Sequence, residues 1–75
     1  MRIGQRYKLR VPVRGIETIN GELVSTTIPA GAIVKVVAMP TEKSDPLVDV
    51  VMEGRTITMR AVNLNARAAE IGHGV

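Results

Sequence analysis

The sequence predicts a small all-β domain folded around one antiparallel sheet. Three observations lead there. Runs rich in Val, Ile and Thr recur along its 75 residues, and such side chains suit the half-buried, pleated surface of a strand. Glycine-bearing pairs, Asn20-Gly21 and Glu53-Gly54, separate neighbouring runs at hairpin spacing. The stretch Ile28-Pro29-Ala30-Gly31 then turns the chain into its most apolar run, Ala32 to Ala38. Pro29 pre-sets φ for the second turn position, and Gly31 falls where type I turns favour glycine.

The run from Ala32 to Ala38 reads as a strand buried on both sides or nearly so, about which the rest packs. Before it, Arg6 to Val13 alternates. Tyr7, Leu9, Val11 and Val13 point one way, while Arg6, Lys8 and Arg10 point the other. Pro12 has no N–H to donate, which places this strand at an edge or a bulge. Gly15 opens the next segment. The runs 16–19 and 22–28 on either side of Asn20-Gly21 predict a projecting hairpin, rich in Thr and Ser and largely at the surface.

Beyond the central strand, residues 40–46 form a polar loop bracketed by Pro40 and Pro46. Leu47 to Met52 is the next strand, and Arg55 to Arg60 returns antiparallel across the Glu53-Gly54 turn. A two-residue turn sets Val50 opposite Ile57 and Val48 opposite Met59 on one face, with Asp49 opposite Thr58 and Val51 opposite Thr56 on the other. Ala61 to Leu64 reads as a single helical turn that returns Leu64 to the core. Asn65 caps a second short helix through Ile71, ended by Gly72, and 73–75 fray. Residues 1–65 are therefore the domain, and 66–75 a short helix or tail. The expected core is Leu9, Val11, Ile28, Val34, Val36, Val48, Val50, Ile57, Met59 and Leu64.

Composition narrows the function. A single domain of this length buries only about 60 % of the surface of its unfolded chain and gains from a supplement. The chain has no cysteine, hence no disulfide and no thiolate metal site, and with one histidine, His73, a zinc site is not expected. No metal and no cofactor are inferred. Self-association remains, with Val51, Ile33 and Val37 as outward apolar candidates, or else a compact aliphatic core that suffices alone. No apolar run approaches the about 20 residues of a membrane span, and no apolar signal segment follows the charged first residues. A cytoplasmic protein without a membrane partner is the expectation.

Net charge is +3, unevenly spread. Arg2, Arg6, Lys8, Arg10 and Arg14 crowd the first fourteen positions with no acid among them. Such a basic stripe has two readings: an attraction for nucleic acid or an acidic partner, or a solvated face that protects an edge strand from aggregation. Arg6, Lys8 and Arg10, with Arg14 and Arg60, are the candidate ligand-binding residues.

The order of elements, strand, polar hairpin, turn, central strand, loop, tight hairpin and helical turn, resembles an SH3-like small barrel. The turn Ile28-Pro29-Ala30-Gly31 into Ile33-Val34-Lys35-Val36 resembles the turn-to-strand step of bacterial SH3-like domains. Gly54-Arg55-Thr56-Ile57-Thr58-Met59 with Ala61-Val62-Asn63-Leu64 resembles their last hairpin and terminal helical turn. The chain is also similar to short uncharacterised bacterial proteins with the same turn and Gly-Arg-Thr hairpin. The likeness covers residues 3–65 and implies an antiparallel barrel of five or six strands, but no activity.

Tyr7 is the sole aromatic residue, too few to grip polyproline or to cage methylated lysine. Type II dihydrofolate reductases share the barrel class and length, but their Val-Gln-Ile-Tyr stretch has no counterpart here. Ser25, Ser44, Asp45, Asp49 and His73 supply triad atoms without a nucleophile elbow, and the scattered glycines form no phosphate loop. No enzyme and no small-molecule substrate are inferred. The expected function is a non-catalytic binding or assembly module that joins a protein partner or itself. The alternative is nucleic-acid binding through the N-terminal basic strand, by salt-sensitive phosphate contacts.

Overall fold

Alternating apolar residues and two tight turns produce seven strands and one short helix. The computed structural model describes residues 2–39 and 46–73. In chain order these are β1 (Gln5–Leu9), β2 (Val13–Ile19), β3 (Glu22–Ile28), β4 (Ile33–Ala38), β5 (Leu47–Met52), β6 (Arg55–Arg60), α1 (Ala61–Arg67) and β7 (Ala68–His73). All belong to one antiparallel sheet in the order β3-β2-β6-β5-β4-β1-β7.

Both hairpins form at the expected turns. Asn20 and Gly21 have φ of 51° and 81°, and Glu53 and Gly54 have φ of 52° and 78°. Positive φ at both central residues matches the right-handed twist of the flanking strands. In the β5–β6 ladder, Val48 pairs with Met59, Asp49 with Thr58, Val50 with Ile57 and Val51 with Thr56, as the alternation requires. At the Pro29–Gly31 turn, Gly31 N–H donates to the Leu9 carbonyl at 2.8 Å, tying the start of β4 to the end of β1.

The inner faces of the strands share one core. Ile28, Val34, Val36, Val50, Ile57 and Leu64 have no solvent exposure. Tyr7 and Leu9 from one end of the sheet lie in the same cluster as Val13 and Ile28 from the other, so the sheet curls around its contents. Leu64 of α1 packs into that cluster. Close packing of β2 on β6 requires Gly15: a β-carbon there would lie 2.5 Å from Ile57 Cγ2 and 3.0 Å from the Thr58 carbonyl oxygen.

Five expectations need correction. The sheet is not a closed barrel of five or six strands. It has seven, and the edges at which it would close are occupied on one side by β3 and on the other by β7. The stretch read as a second helix over 65–71 with a frayed end is instead the last turn of α1 followed by β7. There Gly72 pairs with Arg6 and His73 with Gln5. Although Ala and Glu favour helix, pairing with β1 outweighs a propensity too weak to hold seven residues helical.

The alternation of Arg6–Val13 does not continue as one strand. Pro12 cannot join a ladder, β1 stops at Leu9, and Val11 sits in the intervening turn at 42 % exposure rather than in the core. Nor is β1 an edge strand, since β4 and β7 flank it. Lastly, β4 is buried on one face only. Val34 and Val36 face inward, while Ile33, Lys35 and Val37 face solvent. Residues 40–45 of the expected polar loop, with 74 and 75 of the tail, lie outside the described residues.

Candidate functional site

Strand register decides which side chains share the outer face. On β1, Gln5, Tyr7 and Leu9 are buried, leaving Arg6 and Lys8 outward. In the β1–β4 ladder Arg6 pairs with Lys35 and Lys8 with Ile33. Directly paired residues project to the same face at close range, so two cations stand opposite each other with a third two residues along. Neither strand contains an acid. Among the described residues, none of the three side chains has a hydrogen bond or ion pair. Glu70 of β7 is paired with inward Tyr7, and Asp49 of β5 accepts a hydrogen bond from the Thr58 hydroxyl.

The other end of the sheet carries a different outer surface. Arg14, Ile16 and Thr18 of β2 lie opposite Thr27, Ser25 and Leu23 of β3. There a surface groove of about 540 Å³ has Ile16, Leu23 and Leu47 among its lining residues, joined by Arg14, Arg60 and Asn63. Leu23 is 75 % exposed, the largest value among the exposed large hydrophobics, and Ile16 and Leu47 are about half exposed. Among the described residues, β3 has β2 on one side and an open backbone edge on the other.

The five predicted basic residues therefore separate. Arg6 and Lys8 lie on the β1–β4 surface, and Arg14 and Arg60 line the groove. Arg10 falls past the end of β1, where its guanidinium donates to the Ala68 carbonyl at 3.3 Å and its backbone N–H to the Arg67 carbonyl. Lys35 was not foreseen, because the apolar run around it masks a period-2 alternation in which it is the one charged outward position. The groove depends on four strands meeting and leaves only a faint trace: the Asn-Gly turn already sets Leu23 and Ile16 on one face of the hairpin.

Two polar clusters belong to the inner side. Arg55 clamps Glu17 with two hydrogen bonds, Nη2 to Oε1 at 2.6 Å and Nε to Oε2 at 3.0 Å, and reaches Thr26 Oγ1 at 3.3 Å. Those bonds hold the Glu17 carboxyl below its ordinary range, against the opposing pull of desolvation. Near the N-terminus the Tyr7 hydroxyl donates to Gln5 Oε1 at 2.9 Å. Burial first, then the Glu70 charge, raises the Tyr7 pKa.

The residues that could make a triad do not converge. Ser25 is on edge strand β3, three strands from Asp49 in the sheet order, and His73 is on the opposite edge strand. Ser44 and Asp45 lie outside the described residues. Among the described residues, no three His, Cys, Asp or Glu side chains gather as a metal site, and no helix is long and apolar enough to cross a membrane. Comparisons with protein-family profiles, with curated proteins and with solved structures gave no match.

Proposed function

We propose that the chain is a non-catalytic assembly module that associates with a second copy of itself through the β2–β3 end of its sheet. The observation that carries this reading is the exposed Leu23, set with Ile16 and Leu47 in an apolar groove beside the unpaired edge of β3. Open edges usually carry lysine, proline or a bulge as protection. β3 reads Glu-Leu-Val-Ser-Thr-Thr-Ile, and its one charge is at its first residue.

Such a strand is suited to pair with itself. Antiparallel pairing about Ser25 sets Leu23 beside Thr27 of the second copy and Val24 beside Thr26, with no like charges opposed. The arrangement also brings the two grooves side by side across the two-fold axis. Oligomerisation is an established means for a domain of this size to gain stability.

Sedimentation velocity over a hundredfold concentration range tests the proposal. The expected result is a concentration-dependent dimer, abolished by Leu23→Lys with the fold retained. A monomer of 8.1 kDa throughout the range would overturn it.

A further inference from the structure

On a different surface, we infer that Arg6, Lys35 and Lys8 form a phosphate-binding track for the backbone of nucleic acid, read without regard to sequence. Three features of the sheet lead there. Arg6 and Lys35 are a direct cross-strand pair of like charge, an arrangement that costs stability when nothing neutralises it. No carboxylate among the described residues forms an ion pair with them. The usual reason for strand cations, protection of an edge, does not apply, because β1 lies between β4 and β7. A repulsive cluster held in the interior of a sheet is a ready site for an external polyanion.

Geometry favours a backbone over an isolated anion. Arg6 and Lys8 are two residues apart on one strand face, hence about 7 Å apart, which suits successive phosphates of an extended strand. Lys35 widens the track sideways on the neighbouring strand. Base stacking has no platform here: the sole aromatic ring, Tyr7, is 5 % exposed and its hydroxyl is engaged with Gln5. The contacts are therefore electrostatic and indifferent to sequence.

Fluorescence anisotropy with labelled mixed-sequence oligonucleotides, titrated from low salt upward, tests this, at protein concentrations low enough to keep one oligomeric state. The unmodified chain should bind with an affinity that falls steeply with salt. The triple variant Arg6→Ser, Lys8→Ser, Lys35→Ser should lower the slope of log K against log salt by about two to three, at about 0.7–0.9 per phosphate contact. Lys35→Arg should keep the slope. The melting temperature of the triple variant should hold or rise, since repulsion has been removed. Should the triple variant not fold, Arg6→Ser and Lys35→Ser singly should each lower the slope by about 0.7–0.9. Absence of salt-dependent binding overturns the inference, as does a slope unchanged by the substitutions. Binding restricted to vesicles containing an anionic phospholipid overturns it too.

Discussion

The β1–β4 surface and the β2–β3 surface belong to one outer face of one sheet, yet the first sets three cations together beside Ile33 and Val37, and the second sets Ile16, Leu23 and Leu47 together beside Arg14 and Arg60. Edge protection would distribute them the other way. The strand that needs guarding, β3, presents Leu23 and Val24 to solvent, while Arg6, Lys8 and Lys35 lie on β1 and β4, whose backbone edges are both paired. A charge pattern set only by solubility has no reason to oppose Arg6 and Lys35. The two proposed tasks, contact between copies at one end and capture of a polyanion at the other, divide along these two surfaces.

The strongest test of that division is to remove what the two ends share. Leu64 is fully buried in the cluster that contains Tyr7, Leu9, Val13 and Ile28. Leu64→Ala should cost about 2–5 kcal/mol, and denaturant unfolding should remain a single transition because both ends draw on that cluster. Two separated transitions would make the ends independent folding units. Gly15→Ala probes the β2 end alone. Its methyl group would lie 2.5 Å from Ile57 Cγ2, closer than side chains approach, and tightly against the Thr58 carbonyl oxygen, so a loss of about 1–3 kcal/mol is expected. Assembly should weaken with it while nucleic-acid affinity at folding temperatures holds. A neutral Gly15→Ala would mean that β2 stands off β6 more than these distances imply.

The smallest effect concerns pH. The folded-state pKa of Glu17 lies below its unfolded value, so in acid the unfolded chain binds the extra proton first. The contribution is fully present above the ordinary carboxylate range and is lost as pH falls through the lowered folded value. Glu17→Gln should flatten the acid limb of the stability–pH curve without altering stability trends near neutrality. Thermal melts from pH 7 down to pH 2 measure this. An identical acid limb in the variant would show that the Arg55 clamp does not govern the acid response of the hairpin.

Local rules made the hairpins legible. Two-residue turns with positive φ and clean alternation specify register, and the pairing of Val50 with Ile57 follows from the letters alone. Nine of the ten expected core residues are buried, and Val11 fails because Pro12 ends the alternation that placed it. What was illegible depends on distant partners. Ala68-Ala69-Glu70-Ile71 has no strand pattern of its own and becomes β7 only against β1. Arg6, Lys8 and Arg10 read as one stripe, with Arg14 nearby, because the alternation was carried across Pro12 to Val13. The sheet sends Arg14 to the groove and supplies Lys35 from a strand nearly thirty positions away in the chain.

The position of β1 between β4 and β7 also has a meaning in time. Gln5 is paired with His73, so β1, made before the other strands of this sheet, gains its second neighbour from residues 68–73. Until those emerge, β1 offers a row of free amides and carbonyls to whatever strand is near, including that of another nascent chain. A ladder that spans so much of the sequence closes slowly.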